Sequence, residues 1–527
     1  MSSTSHSLWS PLRLPAFRGL WAGSAIYFTG NAMQVMAASW LMVELTGSSF
    51  LAALVQTAVF LPMFLLALPA GVLADTLDRR RLILKALGVQ VGVVIVLSAL
   101  ALLGWAGPAT LLLFTFGAGC CTALLSPAWN TSVADTVPRE DMPQAITAMS
   151  IAWNSARALG PSIAGFLFAW LGAGWVFAIA TLSALVMIHA VRRWPPAPHA
   201  KSPLPAERLW SGTLAGLRYA RHSPMILAQL LRTIAYSGAG SALWALLPAI
   251  AAQRLHLGAA GFGFLMGCLG TGAVAAGLVL GKLRARLGLE RLVAVGCLVF
   301  AAAMLIAAFA RIPIVVFVTL AIGGAAWMAV MATFNTATQS SAPPWVRSRA
   351  VALHTVSALG SFAIGSAFWG AVSSFAGLPV ALSVAAVAMT AGIFLSRWFP
   401  LRIGEAQEIT PVALWEDVSI KEPPLPDDGP VSVEISYRIR AGEAEEFLQA
   451  VSQLRASRRR DGATLWRVYR DLGDSSRYVE RFLVASWADY LHQRARATLA
   501  DQEVEERVHV FLREGEPVTT QHYIAER

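Results

Sequence analysis

Charge is scarce in this sequence: 14% of its 527 residues are Asp, Glu, Lys or Arg, against about a quarter in ordinary soluble domains. With 56% hydrophobic residues, that shortage argues against a simple soluble globule and for apolar segments that face lipid. Acidic residues are the scarcest, and unevenly so. Residues 1–400 hold 8 Asp/Glu against 24 Lys/Arg, whereas residues 401–527 hold 23 against 17. The basic excess sits in connections between apolar runs, where membrane topology accounts for it, so no nucleic-acid partner is expected. There are only four cysteines, Cys120, Cys121, Cys268 and Cys297, all inside apolar runs and without metal-ligand spacing. They exclude a disulfide framework, and neither a metal nor a cofactor is expected. No GxxxxGK[ST] phosphate loop is present, which argues against intrinsic ATP hydrolysis. The N-terminus has no signal-peptide cleavage pattern, so the first apolar segment is expected to be retained.

What the sequence does have is length in its apolar runs. A membrane-spanning helix needs about 20 mostly apolar residues, and twelve segments qualify, at 20–43, 50–73, 82–103, 109–131, 145–169, 174–192, 225–250, 260–282, 291–310, 313–335, 348–373 and 378–398. Arginine and lysine cluster in alternate connections (Arg13 and Arg18, Arg79 to Lys85, Arg139, Arg192 to Arg221, Lys282 to Arg291, Arg347 and Arg349, Arg397 and Arg402). The positive-inside rule then places both termini in the cytoplasm. The long connection 193–224 divides the segments six and six, giving a bundle over 1–192 and a second over 225–400. Within it, ERLWSGTLAGLRYARH sets Leu209, Leu214 and Leu217 near one face and Arg208, Arg218 and Arg221 on others. That pattern suits either a helix on the membrane surface or a solvated linker.

An internal repeat supports the division. A shift of 205 positions carries Gly119, Asn130, Thr131, Pro138, Ala145, Gly160, Gly165 and Gly172 onto Gly324, Asn335, Thr336, Pro343, Ala350, Gly365, Gly370 and Gly377. Two such halves imply a parallel repeat about an axis along the membrane normal, with a site between them near the midplane.

After Pro400 the composition changes. Residues 401–430 form a polar, proline-rich linker. Residues 431–527 read as a soluble α+β domain: strands in VSVEISYRI, ATLWRVYRDL, RYVERFLVAS and near PVTTQHYI, with helices between. The expected fold is therefore an all-α polytopic membrane protein in two pseudo-repeats, plus a C-terminal cytoplasmic ferredoxin-like domain.

The loop after the second segment reads GVLADTLDRR. Gly71 permits close helix approach, Asp75 can face the positive end of another helix, and Arg79 can pair with Asp135 at the end of the fourth segment. Such a cluster can latch two halves together; the alternative is a purely topogenic charge cluster. Gly71, Leu73, Asp75, Arg79 and Arg80 match the loop signature of the major facilitator superfamily, which this chain resembles, while Thr76 and Asp78 depart from it. A weaker copy, GKLRARLG, lies at 281–288. NSARALGPSIAG, with Asn154, Arg157, Gly160, Pro161 and Gly165, resembles the fifth-helix signature of exporters in that superfamily, especially the branch of enterobactin exporters and bacterial secretion proteins. The turn ELTGSS, the stretch SPAWNTSVADTVPRED and FNTATQSSAPPWVRSRAVAL extend the likeness.

The resemblance implies an inner-membrane secondary transporter, not an enzyme, exporting a small amphipathic molecule such as a siderophore, drug or metabolite by alternating access, as a proton antiporter. Arg157 falls within a membrane segment, where a charge needs a partner or a water-filled cavity. Arg232 is set to reach the headgroups or serve function, and His354 to pack or line the pathway. No Asp or Glu falls mid-helix, leaving Glu44 as the candidate proton carrier. The C-terminal domain resembles the dimeric α/β barrels of antibiotic-biosynthesis monooxygenases, which implies a homodimer. It is either a regulatory or sensing module or a catalytic one, with His492, Tyr469 and Trp466 as its polar groups.

Overall fold

The computed structural model describes residues 10–134, 136–194, 209–410, 412 and 424–526. Long helices dominate: α1 (Pro15–Thr46), α2 (Ser49–Thr76), α3 (Arg79–Leu102), α4 (Pro108–Ala134), α5 (Met142–Leu171), α6 (Ala173–Arg193), the short α7 (Leu209–His222), α8 (Pro224–Ala249), α9 (Ala259–Phe309), α10 (Pro313–Ser341), α11 (Arg347–Ala376) and α12 (Leu378–Ala391). Among the described residues, nine helical segments are long and apolar enough to cross a bilayer. One of them, the 51-residue α9, bends at Gly288, whose φ of 72° only glycine adopts without strain.

Local chemistry explains where the helices begin and end. Pro15 opens α1, and Gly47, left-handed at φ 63°, closes it. Ser48 then caps α2, its hydroxyl accepting from Leu51 N at 3.3 Å. Asp78 caps α3 in the same way, accepting from Arg81 N at 2.7 Å. Phe17, Leu20, Tyr27, Ile83, Leu87, Trp129 and Met187 form a buried core joining α1, α3, α4 and α6. In the other half Tyr236, Phe300, Trp327 and Phe334 pack ring on ring, the Tyr236 and Trp327 centroids lying 5.1 Å apart.

The repeat is visible in the packing. A Cβ added at Gly160 would stand 2.8 Å from Ala32 Cβ on α1, and one at Gly365 would stand 2.6 Å from Gly238 O on α8. Gly165 and Gly370, the next pair under the shift, each meet the opposite half. Gly165 lies against Ala259 O and Gly263 of α9, and Gly370 against Ala53 and Phe50 of α2. The two halves therefore touch through two matching seams of small residues, α5 on α9 and α11 on α2.

After the short α13 (Ala406–Ile409) come β1 (Val431–Arg438), α14 (Ala444–Asp461), β2 (Leu465–Arg470), β3 (Arg477–Val484), α15 (Trp487–Ala495), α16 (Leu499–His509) and β4 (Thr519–Ile524). The sheet is antiparallel in the order β2-β3-β1-β4, the ferredoxin-like arrangement. Alternation turns Val431, Val433, Ile435 and Tyr437 toward the helices and Ser432, Glu434 and Ser436 away. Phe447, Phe482 and Tyr490 are fully buried beneath it, each contributing about 2 kcal/mol by removal from water.

The chain divides into two compact units: residues 1–203, 231–334 and 355–398 in one, and 204–230, 335–354 and 399–527 in the other. The C-terminal domain thus shares a unit with α7 and with the turn between α10 and α11.

Candidate functional site

The α5–α9 seam defines one end of the space between the halves. Ser162 Oγ donates to Gly263 O at 3.2 Å, and a Cβ at Gly270 would lie 2.5 Å from Ala158 Cα. On the α2–α11 side, Thr57 donates to Ala363 O at 2.9 Å and Ser373 to Ser49 Oγ at 2.9 Å. Gln253 Nε2 also reaches Gly47 O, at 2.8 Å. These contacts lie toward the helix ends away from the arginine-rich loops.

Arg157 stands one turn before Pro161, on the side of the seam nearer those loops. Its side chain is exposed rather than packed away among the helices. Its guanidinium lies 5.5 Å from the ring centroid of Trp244 on α8, an arrangement favourable where water is partly excluded. Trp244 leads on to Trp327 at 6.1 Å, then to Phe362 at 6.1 Å and Phe60 at 4.9 Å. A lone cation thus sits at the margin of an aromatic cluster drawn from α2, α8, α10 and α11. Asn154, one turn earlier, spends its amide on Ser150 O at 2.8 Å.

The loop motif is arranged differently from its sequence reading. Asp78 is the cap of α3, and Arg80 Nη2 donates to the carbonyl of Arg192 at the end of α6. Gly71 makes no close approach, since a Cβ there would meet nothing within 4 Å. Asp135, and the side chain of Asp75, lie outside the described residues, as do Arg208 and the side chains of Leu209 and Leu214. Glu44 is exposed at the end of α1 and accepts from Trp40 Nε1 at 2.6 Å, while Trp40 stacks on Phe262 of α9 at 5.6 Å.

Arg232, for which the sequence left headgroup reach and a functional role both open, is held inside the protein. Its side chain is 2% exposed, and Nη1 donates to both carboxylate oxygens of Glu290 at 2.7 Å. Glu290 stands just past the Gly288 bend, at the positive start of the second arm of α9. The 205 shift carries Tyr27 onto Arg232, and Tyr27 Oη donates to Gln90 Oε1 at 2.8 Å. Each half thus has a polar brace between its first and third helices, but the partners, Gln90 and Glu290, are not equivalent under the shift, so the repeat did not announce it. His354 is buried, as a packing residue is.

In the C-terminal domain the polar groups do not converge. Trp466 faces inward, donating to Glu480 Oε1 at 2.8 Å. Tyr469, three positions along the same strand, faces outward and is 48% exposed. Glu480 is further engaged by Tyr437 Oη at 2.9 Å and Arg458 Nε at 3.1 Å, and Arg458 also pairs with Glu505 at 2.7 Å. These buried charges are bound to one another as a structural network. No group of three or more metal-ligating side chains is found among the described residues.

Two helical halves meeting at small-residue seams form the architecture of major facilitator transporters. Solved structures share it: the nucleoside transporter NupG (TM-score 0.59, 12% identity, 73% of this chain and all of that one), and an inward-facing bacterial homologue of the iron transporter ferroportin (0.56, 15%, 73% and 99%). The chain belongs to the transmembrane secretion effector family, whose model matches residues 6–527. Curated relatives include the enterobactin exporter EntS of Shigella boydii serotype 4 and of Escherichia coli O81, each 28% identical over 372 residues, 68% of this chain and 86% of theirs. The protein is a multi-pass membrane transporter that exports a small molecule, and not an enzyme.

Proposed function

We propose that the protein exports an amphipathic molecule carrying aromatic rings and negative charge across the bacterial inner membrane, with twelve spans, cytoplasmic termini and proton antiport. The observation that carries this reading is Arg157, an accessible cation held over Trp244 at the edge of an aromatic cluster. A guanidinium beside stacked rings suits an electron-rich aromatic anion, such as a catecholate siderophore. With the arginine-rich loops inside, the two seams would close the outer end and leave Arg157 accessible from the cytoplasm, the state that loads an export substrate.

Glu44 is the proposed proton carrier: it is exposed at that outer end and bonded to Trp40, which itself packs on the opposite half. Asp75, Arg79 and Asp135 form the proposed latch at the inner end. Homodimerisation through the open sheet face is a further part of the reading, supported by Leu465 and Tyr469, 38% and 48% exposed there.

The decisive experiment is transport of enterobactin by purified protein in liposomes under an imposed pH gradient. Wild-type transport that is lost in Arg157→Ala supports the reading; equal transport by both removes Arg157 from the site. Mass photometry of the full chain reads the dimer, and a monomer would remove that part.

A further inference from the structure

The C-terminal domain is gripped by arginines within its own compact unit. The last turn of α14 leaves backbone carbonyls without helical partners, and cations from elsewhere meet them. Arg218 Nη1 on α7 donates to Gly462 O at 2.9 Å, and Arg496 Nη1 donates to Asp461 O at 3.1 Å. Arg496 also stacks 4.4 Å over Trp345, in the turn between α10 and α11. Arg460, held by Asp461 at 2.9 Å and Asp501 at 2.6 Å, lies 5.9 Å from the ring of Tyr219 on α7. Trp345 meets Tyr219 edge-on at 5.4 Å. Both belong to an apolar cluster with Ile226, Leu230, Ala342, Val346 and Ala350. Gly216 of α7 completes the contact, since a Cβ there would lie 3.0 Å from Arg349 Cβ.

We infer that the C-terminal domain is a clamp on its own transporter: the end of α14 and Arg496 bind α7 and the Trp345 turn, and so restrain the first turns of α11. The restraint follows from the chemistry of the contact. Cation–π and arginine–carbonyl bonds are directional, and they fix the turn from which α11 starts against the linker helix joining the two halves. The helix movements of alternating access must carry the domain along or release it. This regulatory role rests on the alternating-access reading, but its tests need no substrate.

Hydrogen exchange on the full chain in lipid nanodiscs reads the docking. In Trp345→Leu, and independently in the milder Arg218→Gln, amides of α7 and of residues 458–464 should exchange roughly three- to tenfold faster, with β1 and β3 unchanged. Unchanged exchange in α7 in both variants overturns the clamp. Labelling of Cys268 by N-ethylmaleimide reads its consequence, because Cys268 lies between Gly267 and Gly270 of the α5–α9 seam. A released clamp should change that labelling rate at least about twofold. Release without any change overturns the regulatory role, whether or not enterobactin proves to be a substrate.

Discussion

A guanidinium in a membrane helix needs water or a partner, and Arg157 and Arg232 are set differently in that respect. Arg157 is exposed and lies over Trp244. Arg157→Ala should cut transport about tenfold or more at normal expression, and Arg157→Lys should fall between, keeping the charge but losing the planar stack. Equal rates for lysine and wild type would reduce the interaction to charge alone. Arg232 instead holds the Gly288 bend through Glu290. The two partners differ in exposure, 2% against 38% for their side chains, so the two deletions should differ. Glu290→Gln strands a buried cation and should cost about 2–4 kcal/mol; Arg232→Met leaves a carboxylate that reaches water and should cost less. Thermal unfolding in detergent checks the order. The sequence displayed both arginines, but not their settings, because Arg232 and Glu290 are 58 positions apart and meet only through helix packing.

At the scale of elements, the seams are the parts most exposed to a change of one atom. A Cβ at Gly263 would sit 2.5 Å from Pro161 O, whereas one at Gly88 would meet nothing within 4 Å. Gly263→Leu should therefore lower stability by about 1–3 kcal/mol through overpacking while Gly88→Leu has little effect. A melting temperature unchanged in both would mean that the seam is not packed in the membrane. Gly165 and Gly370, equivalent under the 205 shift, should respond alike when enlarged. Asp78→Ala should remove about 1 kcal/mol from the start of α3 through loss of its cap, measurable in the same melts. The repeat was legible in the sequence because close helix contact demands glycine, and glycine leaves a mark at a fixed spacing. Which helix each glycine meets was not, since the spacing carries no information about the neighbour.

For the whole molecule, the soluble domain brings a pH dependence of its own. Burial pushes His522 and His492 below the ordinary histidine value, with Arg494 beside the first and Arg496 and Arg349 beside the second adding to it. His522 is also hydrogen-bonded to the buried Tyr490. A histidine depressed in the folded state binds fewer protons there than when unfolded. Its stabilising contribution is present above about pH 6.5 and is lost as pH falls through the folded value. Acidification from pH 7 to pH 5 should therefore lower the protection of β4 amides in the full chain relative to their intrinsic exchange at each pH, and His522→Gln should flatten that response. A steeper profile in that variant would reverse the assignment.

The sequence by itself determined the apolar spans, the doubled architecture and the βαββαβ order of the C-terminal domain. Each of these depends on residues close in the chain or on spacings repeated along it. Only the tertiary structure decided that Arg232 is paired, that aromatic rings from four helices gather beside Arg157, and that Arg218 reaches Gly462 across 244 positions. Such contacts depend on the order and angle of packed helices. Their partners carry no shared spacing by which a sequence could announce them.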